Sequence, residues 1–255
     1  MKKRKPEVLI IGEGHPGILY KILLLEREIK QPREELIRKL KRPASIIKTE
    51  IALIKNFGTQ RILGERQITT RTTEISSKLF KERNLEDFQK EYCQAGIETA
   101  RSLIEELNRI GPAYGFPEFQ LLEDPDFFMR IAKILSFIIR KTGVYDVKFF
   151  EDDTAGTKED ALDELLDAAS RRVKQKESDP HATREEVANA RQLAKQIARK
   201  YKKALKERER LMIRNIKTML IDKTVVICGA DHAEAIKKGL KRVATAELID
   251  LWQKY

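Results

Sequence analysis

Four consecutive apolar residues that lead into a Gly-x-x-His motif occur twice in this chain, near its two ends. Val8-Leu9-Ile10-Ile11 runs into Gly12-Glu13-Gly14-His15, and Val225-Val226-Ile227-Cys228 runs into Gly229-Ala230-Asp231-His232. Short runs of this kind, rich in β-branched residues and without polar alternation, are strands covered on both faces. Each is followed by a helix-like pattern. The expected fold is therefore α/β, with a central, mostly parallel sheet flanked by helices. In open α/β sheets, ligands bind at the carboxyl ends of strands. If these two strands are neighbours, both imidazoles reach one crevice.

The rest of the chain reads as strand, many helices, strand, helices, strand and helix. With 255 residues, 41% of them hydrophobic, the length suits one α/β domain over 1–255 with a mostly helical insertion over 30–140. Helical spacing is expected over Ile18–Ile29, Glu34–Leu40, Ile46–Phe57, Leu85–Ile110, Phe127–Lys141 and Ala161–Lys176. Thr183, with Glu186 three residues on, has the spacing of a capping box that opens one or two long helices ending near Met219. Gln60–Leu63 and Val144–Phe150 read as shorter strands; 67–74 is Thr-rich, extended or loop; Val243–Trp252 is a tail of open type.

No run approaches eighteen apolar residues, so no membrane span is expected. The basic start Met1–Pro6 precedes too short an apolar run for a secretory signal, which makes a cytoplasmic location the expectation. Cys93 and Cys228 have no metal-type spacing, and Cys228 reads as a small apolar filler. The net charge is +11. Between Lys195 and Lys217 there are ten Lys or Arg residues and two acidic ones, Glu207 and Glu209. Such a helix could track phosphates, or it could be a solvated face.

Neutral imidazole is the commonest metal ligand and the usual proton-transfer group near neutral pH. His15 and His232 are the candidates, and His181, in a polar break, reads as surface. Each motif also holds a carboxylate, Glu13 or Asp231. Histidine plus carboxylate from adjacent strand ends would suit a divalent transition metal on His15, His232 and Glu13, or metal-free acid–base work. Gly12, Gly14 and Gly229 are candidates for close backbone approach to a ligand. A further carboxylate is expected from Glu151, after the middle strand, or from its competitor Glu65, after Ile62-Leu63-Gly64. Arg208 shares a helix face with Met212, four residues on. It would pair with a substrate carboxylate or orient Glu13 or Glu151, or else it is an exposed arginine on a charged helix.

These residues resemble a superfamily that includes TraB pheromone-shutdown proteins, Tiki/GumN-type proteins, erythromycin esterases and haem-binding ChaN-type lipoproteins, which share paired Gly-x-x-His motifs at strand ends. Gly12–His15 resembles the first motif, Thr224–His232 the closing strand, and Glu207-Arg208-Glu209 with Met212 the helix before it. Asp231 stands where the family usually has Gly, and Glu209 where it usually has Asp. The resemblance covers about 50 residues at the two ends and leaves 30–140 unmatched. It implies one site from Glu13, His15, Glu151, Arg208 and His232, and a hydrolase of peptides or esters that is metal-dependent in some members. Alternatives are a non-catalytic binder of haem or another small ligand, or of nucleic acid. The oligomeric state stays open, homo-oligomer included.

Overall fold

The structure, a computed structural model, describes residues 4–13, 46–65, 85–116, 119, 125–151 and 153–251. Its strands are β1 (Glu7–Glu13), β2 (Arg61–Gly64), β3 (Asp146–Phe149), β4 (Lys223–Gly229) and β5 (Thr245–Asp250). Its described helices are α1 (46–57), α2 (Leu85–Ile110), α3 (Pro125–Thr142), α4 (Asp153–Ser178), α5 (Arg184–Met219) and α6 (Ala230–Leu240). The expected helices over 18–29 and 34–40, and the Thr-rich stretch 67–74, lie outside the described residues.

All strand pairings are parallel, in the order β3-β2-β4-β1-β5. This is the expected α/β class. The two motif-bearing strands are direct neighbours, with Ile11 opposite Ile227, Gly12 opposite Cys228 and Glu13 opposite Gly229. The two motifs are therefore offset by one residue across the ladder.

Strand alternation sorts the side chains of β1 into two cores. Leu9 and Ile11 join Ile62, Val147 and Val225 beneath Ile54, Phe88, Tyr92 and Ile138 of α1, α2 and α3. Val8 and Ile10 join Leu63, Val226 and Cys228 beneath Met212 and Ile216 of α5 and Ala233 and Ile236 of α6. Both faces are covered, which is why these strands contain no polar alternation. A third core, formed by Leu107, Ala161, Leu165 and Ile197, joins α2, α4 and α5. Gly58 (φ +67°) and Gly143 (φ +72°) end α1 and α3 in the left-handed conformation that closes helices at low cost.

The short strand expected over Gln60–Leu63 forms at 61–64, as an inner strand between β3 and β4. Long-range contacts hold it in place. Thr59 donates its hydroxyl to the Lys223 carbonyl at 2.9 Å, and Arg61 pairs with Asp146 at 2.7 Å. The tail contains strand β5, which pairs with β1; its mixed sequence TAELID hides a strand that has only one neighbour among the described residues.

The connections set the position of the crevice. Of the described helices, α1, α2 and α3, which follow β1 and β2 in the chain, lie on the first face, and α5 and α6, which follow β3 and β4, lie on the second. Where connections part to opposite faces, an open α/β sheet leaves a crevice beyond its carboxyl edge. Here that point lies at the end of β4, between β1 and β2. No described helix is long and apolar enough to cross a membrane.

The predicted long helix is a single one, α5. Thr183 accepts from the Glu186 N–H, while the Glu186 carboxylate accepts from the Thr183 N–H, and Lys176 and the Thr183 bonds hold the Glu186 carboxyl down at about 2. Thr183→Ala is expected to cost about 1 kcal/mol. Met212→Ala, which empties a fully buried position, is expected to cost about 2–5 kcal/mol. Urea unfolding of the two variants checks that order, and equal costs would contradict the packing described here.

Candidate active site

Arg208 is the centre of the carboxyl-edge cluster. It lies on the buried face of α5 with Ile197, Ala204, Met212 and Ile216, at steps of four or seven residues. Only 4% of its surface is exposed, so it is not an arginine on a solvated helix face. Its Nε donates to Glu151, just beyond β3, and its Nη1 to Glu159 on α4. Nη1 also reaches Asp160 at 3.0 Å, and Nη2 lies 3.7 Å from Glu65 Oε1, just beyond β2. A guanidinium presents its donors in a rigid planar fork, which lets one side chain hold several carboxylates in fixed positions. Burial works against the charge of Arg208, but Glu151, Asp160, Glu159 and Glu65 outweigh it and raise its pKa.

Glu65 joins this cluster to the histidine. Its N–H continues the ladder to the Ile227 carbonyl at 2.9 Å, and its Oε2 accepts the N–H of Gly229. Its Oε1 lies 3.6 Å from His232 Nε2. On the other side of the ring, Glu209 Oε1 lies 3.6 Å from His232 Nδ1. The imidazole, 4% exposed, thus sits between two carboxylates on the first turn of α6. Glu209 neighbours Arg208 in sequence yet faces the histidine, so one turn of α5 serves both groups.

The expected residues divide as follows. Glu151, Arg208 and His232 are brought into one cluster, and Glu65 stands beside Glu151 instead of replacing it. His15, Gly14 and the Glu13 side chain lie outside the described residues. Gly229 uses its N–H on Glu65, and Gly12 lies against α6, where an added Cβ would stand 3.2 Å from Ala233 Cβ. In this structure both glycines serve strand–helix packing and carboxylate positioning. Sequence reasoning missed Glu159, Asp160 and the facing of Glu209. The available signal was helical spacing: Glu159 and Asp163 are four apart, opposite a helix whose buried stripe contains Arg208 and runs close to Tyr201.

The electrostatics are those of a buried, acid-rich centre. Burial, reinforced by Glu65 and Asp160 and opposed by Arg208, raises the Glu151 carboxyl well above its ordinary range. Half burial and the neighbouring Glu159 raise Asp163 to about 6. Burial, Glu159 and Asp163 raise the Tyr201 hydroxyl, which is hydrogen-bonded to Glu159.

A metal ion with ligands at roughly 2.0–2.2 Å in tetrahedral geometry would hold two of them roughly 3.3–3.6 Å apart. Glu65 Oε1 and His232 Nε2 have about that separation. Among the described residues, no group of three or more His, Cys, Asp or Glu side chains is arranged to hold a metal, so these residues alone do not form such a site. No family model, curated protein or solved structure matches this chain.

Two outcomes follow from the cluster. Arg208→Gln leaves several buried carboxylates without their cation and is expected to cost about 3–5 kcal/mol in urea unfolding. The pH dependence has a definite sign. The folded chain keeps protons on Asp163 and Glu151 that the unfolded chain has released, so stability falls as pH rises. The Asp163 part is lost between its ordinary 3.8 and about 6. The Glu151 part starts to be lost above 4.5 and continues until the raised folded value is passed. Unfolding measured between about pH 4 and 8 should show this decline. Asp163→Asn and Glu151→Gln should each make the decline shallower; unchanged slopes would contradict the burial assigned to these groups.

Proposed function

We propose that the protein is a hydrolase of peptide or ester bonds, with His232 as its proton-transfer group. The observation that carries this reading is a buried histidine between Glu65 and Glu209, beside an Arg208-ordered set of carboxylates, at the end of β4. The neighbouring β1 ends in the second Gly-x-x-His motif. The resemblance to the TraB, erythromycin esterase and ChaN superfamily points the same way and supplies the substrate class.

In this reading His232 Nε2 takes a proton from the attacking water and returns it to the leaving group, while Glu209 at Nδ1 favours the imidazolium that forms between the two steps. Glu65 orients the ring and is itself fixed by the Gly229 N–H. Arg208 is a positioning residue, since its donors are engaged by carboxylates and substrate need not touch it. Burial raises the Glu151 carboxyl above its ordinary range, which favours its protonated form and so limits repulsion among the carboxylates. The resemblance implies His15 and Glu13 as further members of the site. The resemblance also implies a divalent transition metal on His15, His232 and Glu13.

The test is hydrolysis of peptide and ester panels by the purified protein, with elemental analysis of its metal content. His232→Ala and Glu65→Gln are expected to lower the rate by about 10²–10⁴-fold. Arg208→Lys keeps the charge but not the fork, and should lower the rate and shift its pH profile together. His15→Ala should match His232→Ala in rate, and in metal content where metal is present. Full activity and unchanged metal content in both histidine variants would overturn the reading.

A further inference from the structure

Nine of the ten basic residues between Lys195 and Lys217 are exposed; Arg208 is the exception. At about 100° per residue, most of the nine fall on one stripe, opposite the buried face of α5. Lys195, Arg199, Lys203, Lys206, Arg210 and Lys217 run along its centre, and Lys202 and Arg214 along its margins. Successive cations are three or four residues apart, so the stripe is continuous along about 33 Å of straight helix. None of these eight cations has an ion-pair partner among the described residues. The one ion pair made by the neighbouring acids toward α4, Glu207 with Lys158 at 3.8 Å, lies off the stripe.

Uncompensated like charges held in line on a rigid rod repel one another, and a polyanion relieves that repulsion. We infer that this stripe is a docking surface for the phosphate backbone of double-stranded nucleic acid. Three features favour that partner over other polyanions. The apolar face of α5 is already buried against α4, α6 and the sheet, so no apolar side remains to enter a lipid surface, as interfacial helices require. The stripe carries no aromatic side chain on which unpaired bases could stack, which removes the main source of single-strand affinity. The net charge of +11 favours approach of the whole chain to a polyanion. Contacts from lysine and arginine to phosphate position a protein on the duplex without reading its bases, so docking through this stripe is sequence-independent. The inference is separate from the hydrolase reading, because none of the stripe residues belongs to the carboxyl-edge cluster.

The experiment is fluorescence anisotropy of the full chain with a random-sequence DNA duplex, the matching RNA duplex and the DNA single strand, over a salt series. Vesicles of phosphatidylcholine with phosphatidylserine form the lipid arm. Five or more phosphate contacts give a slope of log affinity against log salt of about −4.5 or steeper. Charge reversal at Arg199, Lys203, Lys206 and Arg210 (each →Glu) should weaken duplex binding at least about 100-fold at low salt. Reversal at the exposed Lys90, Lys133, Arg140 and Lys174 on other helices gives the same net charge and should leave most of the affinity. If the first variant fails to fold, the four corresponding →Gln changes serve in its place, with the slope reduced by about 0.9 per contact removed. Absent duplex binding at low salt, equal loss in both reversal variants, or stripe-dependent binding to vesicles or single strands in place of duplex would overturn the inference. Catalytic rates of the stripe variants should not change.

Discussion

A single buried cation holds the carboxyl edge of this sheet in order. Glu65, Glu151, Glu159 and Asp160 come from the ends of β2 and β3 and from α4, and they would repel one another if nothing stood between them. Arg208 supplies the compensating charge and also the geometry, because its planar fork fixes where each carboxylate can sit. Burying one cation and several carboxylates is costly, and the arrangement is stable only while every partner is present. Such a cluster contributes more to a unique arrangement than to net stability, and it brings two strand ends and two helices into register around His232.

The site depends on the sheet as much as on the cation. The described helices α1, α2 and α3 pack on one face and α5 and α6 on the other, which opens the edge at β4. The end of β4 turns directly into α6, and the N–H of Gly229 at that turn is bound by Glu65 from the next strand. His232 therefore sits on the first turn of a helix whose start is fixed by a carboxylate from β2. Packing beneath it, with Ala233 and Ile236 against the β-branched side chains of β1 and β4, leaves the ring little freedom to move.

The α5 helix shows how one element can carry two unlike surfaces. Its inward stripe places Ile197, Ala204, Arg208, Met212 and Ile216 into the cores and the site, while its outward stripe is rich in lysine and arginine. The 36 residues are long enough to span both the α4–α5 pairing and the sheet. A capping box at Thr183 fixes where the helix begins, and so which residues point inward.

Local pattern alone determined a good deal: the two buried strands, the helices over 85–110 and 184–219, the capping box, and Arg208 and His232 as candidate site residues. Those features depend on periodicity and on short-range chemistry, which one sequence displays. The inner place of strand β2, strand β5 and the company of Arg208 were decided only in three dimensions. A short strand around Ile62-Leu63 is legible locally but its neighbours are not, and strand β5 at 245–250 mixes polar and apolar residues because, among the described residues, only β1 pairs with it. Glu65, Glu151, Glu159 and Asp160 are separated by up to 95 residues of chain; Glu65 and Glu151 read locally as alternative strand-end acids, and Glu159 and Asp160 as ordinary helix acids. Their shared role exists only because parallel strands with crossover helices bring their carboxyl ends to one edge, where burial makes a single guanidinium decisive.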